Sequence, residues 1–232
     1  MIKIHGLNKT TLLDYPGHVA ATVFLGRCNF RCPFCQNGDL VINPESQPLI
    51  GKEEVFAFLK KRKGILTGIC ITGGEPTLEE ELESFTAEIK ELGYLVKLDT
   101  NGYRPEVLKN LLQKKLLDYI AMDIKNSMEH YAETAGLQHL DTEKIRESIR
   151  LIMNSGIPYE FRTTVVKELH KEADIAAIGA EIKGAEAYFL QAYQESDRVL
   201  EAGFHAYEKA EMEKMAERAR AFVPEVKLRG ID

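Results

Sequence analysis

The chain has 232 residues, a net charge of −6, 44 % hydrophobic residues and 28 % charged residues. That length and apolar content suit one domain with a sizeable core and exclude a largely disordered chain, while the acidic balance speaks against a nucleic-acid partner. No apolar run approaches the roughly 20 residues of a membrane span, and the start Met1-Ile2-Lys3-Ile4-His5-Gly6 lacks a signal-peptide apolar region, so a cytoplasmic protein with no membrane partner is expected.

Val19–Leu25 is short and nearly all apolar, as in a strand covered on both faces. Residues 26–38 follow without periodicity. Glu53–Lys63 sets Val55, Phe56 and Leu59 at helical spacing. Ile65–Thr72 has strand composition and stops at Gly73-Gly74. Thr77-Leu78-Glu79-Glu80 reads as a capping box opening a helix to about Leu92. Tyr94–Leu98 is a strand ending at Asp99-Thr100-Asn101-Gly102, and Pro105 suits the first turn of the next helix. Tyr119–Ile124, Tyr159–Val166 and Ala187–Gln191 read as strands. Thr142–Asn154 and Glu172–Ile182 read as helices. His205–Phe222 is a long charged amphipathic helix, most simply a solvated face, with partner docking as its functional alternative. Val226–Leu228 is a short final strand.

These six strand–helix alternations predict an α/β fold, a parallel sheet wrapped by helices. They leave open whether the sheet is doubly wound or a barrel. In both, ligand chemistry gathers at the carboxyl ends of the strands.

Three of the four cysteines, Cys28, Cys32 and Cys35, follow the first of these strands with the spacing Cys-x3-Cys-x2-Cys. On a helix they would share one face, but Pro33 opposes a helix there. A loop wrapping a metal fits better. Zinc favours four ligands, commonly as two separated pairs. A four-iron cluster normally takes four thiolates, so three would leave one iron open to substrate. Cluster, zinc and inert thiols all remain readings of the spacing alone. Cys70, inside an apolar strand, reads as a core thiol.

The later strand ends also carry polar residues. Gly73-Gly74-Glu75-Pro76 is either a turn or a backbone-lined site whose Glu75 accepts hydrogen bonds from an ammonium group. Asp123 and Lys125 share one strand face by their two-residue spacing and need partners or a ligand there. Arg162 stands among strand residues in the same way.

Cys28-x3-Cys32-x2-Cys35, with Phe34 before the last thiol, and Gly73-Gly74-Glu75-Pro76 at the next strand end together resemble the radical SAM enzymes. Within that superfamily the chain is similar to the small activating enzymes of glycyl-radical proteins. Thr11-Leu12-Leu13-Asp14-Tyr15-Pro16-Gly17, then Ala21–Leu25 and the cysteine loop, most resembles the subgroup that activates anaerobic ribonucleoside-triphosphate reductase. The resemblance covers a core of about 19–193 and fades in the helical extension of about 205–232. It implies a partial (β/α)6 barrel, in a single domain over 1–232.

The resemblance also implies cofactors and contacts. Cys28, Cys32 and Cys35 would hold a [4Fe-4S] cluster whose open iron takes the amino and carboxylate groups of S-adenosylmethionine. Gly73, Gly74 and Glu75 would hold the ammonium end, and Phe34 and the backbone at Gln36 would lie against the adenine. Lys125 and Arg162 would contact the carboxylate or ribose region. Asp99, Thr100 and Asp123, with the main chain at Ala121, would form a monovalent-cation site. Relatives carry His where Gln36 and Gln194 stand, and Gln194 is the hydrogen-bonding group expected in its place. The implied partners are a glycyl-radical enzyme as protein substrate and an external electron donor such as flavodoxin or ferredoxin. The competing readings are a radical SAM enzyme acting on a small molecule, of the deazapurine-forming type, a non-catalytic iron–sulfur electron carrier, and a zinc-stabilised binding module.

Overall fold

The computed structural model describes residues 2–196 and 199–231. Met1 and Asp232, the ends of the expected domain, and the pair Asp197 and Arg198 lie outside the described residues. The elements run β1 (Ile4–Thr11), β2 (Ala20–Leu25), α1 (Gly38–Ile42), α2 (Lys52–Lys61), β3 (Gly68–Gly73), α3 (Leu82–Glu91), β4 (Leu95–Thr100), α4 (Pro105–Gln113), β5 (Tyr119–Asp123), α5 (Tyr131–Thr134), α6 (Thr142–Met153), β6 (Tyr159–Val165), α7 (Glu172–Glu181), β7 (Tyr188–Ala192), α8 (Lys209–Arg220) and β8 (Val226–Arg229). The strands form one open sheet in sequence order, with β1 and β8 at its edges. The pairs β2–β3, β3–β4, β6–β7 and β7–β8 are parallel.

The α/β alternation is as expected, but the sheet has eight strands because the N-terminal segment adds β1. That strand pairs antiparallel with β2 and shifts register between Ile4 and Gly6. His5 is the residue at the shift, and such a bulge re-aims a side chain. β1 lacks apolar alternation because residues 5–10, at the sheet edge, are partly or fully exposed, with only its two ends buried.

The chain clusters into two compact units: Met1–Asn29, Asn37–Thr100 and Glu106–Ile120 in one, Phe30–Gln36, Asn101–Pro105 and Ala121–Asp232 in the other. In the first, Val23, Ile69, Ile71, Val96 and Leu98 of the strands are buried, as are Val55 and Leu59 of α2 and Phe85 and Ile89 of α3. The loop after β1 is tied down locally. Thr11 Oγ1 accepts from the amides of Leu13 and Asp14, both at 3.2 Å, Thr22 donates to Asp14, and Tyr15 is buried. The expected capping box at Thr77 does not form. The Thr77 amide and hydroxyl both donate to Glu75 Oε1, at 3.1 and 2.5 Å. Pro76–Leu78 is therefore a 3-10 turn, and α3 starts only at Leu82.

In the second unit, Ile145, Ile149 and Ile152 form the buried stripe of α6. Asp174 caps α7, accepting from the Lys171 amide at 2.9 Å, while its other oxygen takes Ser127 Oγ and His130 Nδ1, each at 2.8 Å. The expected helix over 205–222 is shorter and less solvated than its charge suggests. It begins at Lys209, after a capping box between Glu208 and Glu211. Met212, Met215, Ala216 and Ala219 are buried. The close approach falls at Gly179 of α7, where a Cβ would meet Phe222 Cδ2 at 3.0 Å and Ala219 Cα at 3.3 Å. A Gly179→Leu substitution should therefore overpack the α7–α8 contact, costing about 1–3 kcal/mol and about 2–4 °C of melting temperature per kcal/mol. Thermal unfolding followed by circular dichroism checks this. An unchanged melting temperature would mean that α8 is not docked.

Candidate functional site

The cysteine loop leaves β2 at Leu25 and is clamped onto the turn that follows β3. The Gly74 amide donates to Leu25 O at 2.9 Å, and the Glu75 amide donates to Arg27 O at 2.8 Å. Where the loop ends, Asn37 Nδ2 donates to Gly73 O at 2.9 Å. Only glycine fits here. Gly73 has φ +119, and a Cβ on it would lie 2.2 Å from Leu25 O. A Cβ on Gly74 would lie 1.9 Å from Arg27 O. The two glycines therefore bring two strand ends into backbone contact. Arg27 turns the chain with φ +61, and its amide donates to Leu40 O at 2.8 Å. Gly26, just before it, lies under the His5 ring, with a Cβ position 2.6 Å from Nε2. Both His5 ring nitrogens are buried and find no hydrogen-bond partner among the described residues.

Glu75 is 1 % exposed. Besides Thr77, its Oε1 accepts from Thr100 Oγ1 at 2.8 Å, so two expected site residues, Glu75 and Thr100, meet directly. Asp99 is paired instead with Lys97, a buried lysine whose ammonium lies 3.8 Å from Cys70 Sγ and 5.9 Å from the centre of the Tyr119 ring. Cys70 is fully buried, as expected of a core thiol.

In the second unit, Asp123, Lys125 and Arg162 come together. Arg162 Nε donates to Asp123 Oδ1 at 2.8 Å, and Lys125 Nζ to Asp123 Oδ2 at 3.2 Å. Burial opposes the Asp123 charge, but Arg162 and Lys125 outweigh it and hold the carboxyl well below the usual range. Burial likewise opposes the Lys125 charge, and Asp123 and Cys32 outweigh it and hold the ammonium well above its ordinary value. Burial pushes the Cys32 thiol up to about 11 against the pull of Lys125. A cation held by Asp123 would compete with Arg162 and Lys125, and one held by Asp99 would compete with Lys97.

The middle of the cysteine loop is held from the same unit. The Arg31 amide donates to Ala135 O at 2.8 Å, the Cys35 amide to Cys32 O at 3.0 Å and the Glu201 amide to Pro33 O at 2.9 Å. Phe34 is buried edge-on to His170, with ring centres 6.4 Å apart. Gln36 Nε2 donates to Gln194 O at 3.0 Å, so these two expected site residues touch each other. Ala121 is buried in β5.

Several contributors escaped the sequence reading. Lys97 and Asp99 have the same two-residue spacing as Asp123 and Lys125, and so do Glu160 and Arg162; that signal could have found Lys97 and Glu160. His170 left no signal. It is fully buried, accepts from the Val166 amide at Nδ1 (3.1 Å) and donates from Nε2 to Lys125 O at 2.7 Å. Arg229 left none either. It reaches Glu160 only because β8 pairs with β7.

Comparison with known proteins bears on the family and the fold. Residues 22–177 match the radical SAM superfamily. The chain is 33 % identical over 199 residues, 84 % of its own length and 81 % of the relative's, to a protein of Methanocaldococcus jannaschii named as a candidate glycyl-radical enzyme activating enzyme. It is 28 % identical over 167 residues, 71 % of this chain and 70 % of the relative, to the 7-carboxy-7-deazaguanine synthase of Koribacter versatilis. Among solved structures, Streptococcus suis SuiB bound to S-adenosylmethionine matches with a TM-score of 0.68 at 16 % identity, over 88 % of this chain and 48 % of that one, a likeness of fold. The chain belongs to the radical SAM superfamily, and with that membership come a [4Fe-4S] cluster and S-adenosylmethionine as its cofactors.

The donor set fits such a cluster. All four cysteines are free thiols, and Cys28, Cys32 and Cys35 lie on one non-helical loop. Among the described residues no three His, Cys, Asp or Glu side chains are gathered around a single metal-ion position.

His170 gives the fold a pH dependence. Burial holds its pKa below the usual value, so the unfolded chain takes up the proton first. Its contribution is complete above the unfolded pKa of about 6.5 and is lost as pH falls. His130, raised by Asp174, acts in the opposite sense. Wild type and His170→Gln should therefore differ most in melting temperature near neutral pH, and the difference should shrink as pH falls below about 6.5. A pH-independent difference would contradict the neutral, buried imidazole.

Proposed function

We propose that the protein is a radical SAM activase that takes a hydrogen atom from a glycine of a partner glycyl-radical enzyme, anaerobic ribonucleoside-triphosphate reductase. The observation that carries this reading is the 33 % identity, spread over 84 % of the chain, to the candidate activating enzyme. Its two-sided coverage matters, because a likeness confined to the cysteine loop would say nothing about the substrate.

The cofactors, when bound, supply a 5′-deoxyadenosyl radical for hydrogen-atom abstraction; the chain supplies position, charge and exclusion of water. Cys28, Cys32 and Cys35 serve as the three thiolate ligands. Lys125 favours the thiolate form of Cys32 electrostatically and, with Arg162, meets the S-adenosylmethionine carboxylate. The Gly73–Glu75 turn fixes where the loop begins and presents backbone to the ammonium end. Phe34, packed on His170, gives the loop a rigid apolar wall. An external donor, flavodoxin or ferredoxin, provides the electron. The partner's glycine loop has to open to reach the strand ends, so a conformational change belongs to the partner.

The second reading, a radical SAM enzyme acting on a deazapurine precursor, draws support from the 28 % identity to the deazaguanine synthase. The two readings separate in one experiment. The reconstituted protein, reductant and S-adenosylmethionine are incubated anaerobically with the reductase and, separately, with small-molecule precursors. The activase reading expects a glycyl-radical doublet in the electron paramagnetic resonance spectrum of the reductase, absent with Cys32→Ala. Product from a metabolite alone, with no doublet on the partner, would contradict it. Cluster assembly with neither outcome would favour the electron carrier.

A further inference from the structure

We propose that Arg229, on the last strand, is a positioning residue that fixes Arg162 for binding S-adenosylmethionine. This rests on the proposed role of Arg162 at the cofactor carboxylate. Arg229 grips Glu160 with both arms, Nη1 to Oε1 and Nη2 to Oε2, each at 2.8 Å. Its Cζ lies over the Phe189 ring, 3.4 Å from the ring centre, a cation–π contact that helps hold it in place. Glu160 is 1 % exposed, and a carboxylate so buried needs cationic partners. Arg229 is one, and Nη1 of Arg162, at 3.9 Å, is another. Arg162 in turn donates from Nε to Asp123, which also holds Lys125.

The five side chains alternate in sign along the sheet: Lys125, Asp123, Arg162, Glu160, Arg229. Arg162 is the middle member, held between two carboxylates. Its balance between them depends on how well Glu160 is already neutralised. With Arg229 present, Glu160 is satisfied bidentately, and Arg162 keeps its closer bond to Asp123. Without Arg229, the buried Glu160 charge pulls the Arg162 guanidinium towards itself and away from Asp123 and Lys125. The strand that lies beyond the recognisable family core would thereby set the geometry of a residue within it.

The prediction concerns affinity and can be read without turnover. Equilibrium binding of S-adenosylmethionine to anaerobically reconstituted protein is measured at matched iron content. Arg229→Gln should weaken binding about tenfold. Arg229→Lys, which keeps the charge but loses the bidentate grip, should fall between that variant and wild type. The double variant Glu160→Gln/Arg229→Gln removes the stranded charge and should return affinity to within about threefold of wild type. A merely structural Arg229 would give no such rescue. Wild-type affinity in Arg229→Gln, or a double variant as weak as the single one, overturns the proposal. If Arg229→Gln does not fold, Arg229→Lys and the double variant carry the same comparison. Arg162→Gln is the control: unchanged affinity there overturns the cofactor role of Arg162 itself, and with it this proposal, whereas lost affinity there with none lost in Arg229→Gln overturns the positioning role alone.

Discussion

Backbone contact between two strand ends underlies the arrangement. Gly74 and Glu75 donate to Leu25 and Arg27, and Gly73 accepts from Asn37. The turn after β3 thus grips the cysteine loop at its start and at its end. Each amide–carbonyl bond contributes only about 1 kcal/mol net, but the geometry leaves no room for a side chain, since a Cβ on Gly74 would fall 1.9 Å from a carbonyl oxygen. In this chain the glycines therefore do more than open space for a ligand. They join the two sequence motifs of the superfamily into one piece of backbone.

Charge is handled with the same economy. Lys97 with Asp99, and Lys125 and Arg162 with Asp123, are buried or half-buried groups that would be costly alone and are paired at close range. Each pair can exchange its internal partner for a charged ligand group without exposing a bare charge. Glu75 is different. Its Oε1 is committed to Thr77 and Thr100, which ties the turn after β3 to the end of β4.

Much of this was legible in the sequence because two signals are local. Apolar runs bounded by glycine mark the strands, and two-residue spacing alone places Asp123 and Lys125 on one face. What escaped depends on pairing between distant segments. β1 has no apolar alternation, because an edge strand hides little of itself. Thr77 looked like a helix cap because its competitor, Glu75, is recognisable only once the turn is folded. The charge of α8 masked Met212, Met215, Ala216 and Ala219, whose burial depends on Gly179 across the contact. His170 and Arg229 matter through partners 45 and 69 residues away, and no local pattern encodes such a distance.

The clamp is tested most directly by Gly74→Ala, compared with wild type after anaerobic reconstitution, with iron per chain and 5′-deoxyadenosine from reductive cleavage of S-adenosylmethionine measured on the same samples. The predicted result is about four irons per chain and cleavage in the wild type, with both lost in a Gly74→Ala protein that retains its circular dichroism spectrum. A Gly74→Ala protein that loads and cleaves like wild type would contradict the clamp. A fully loaded wild type that yields no 5′-deoxyadenosine would contradict the proposed chemistry.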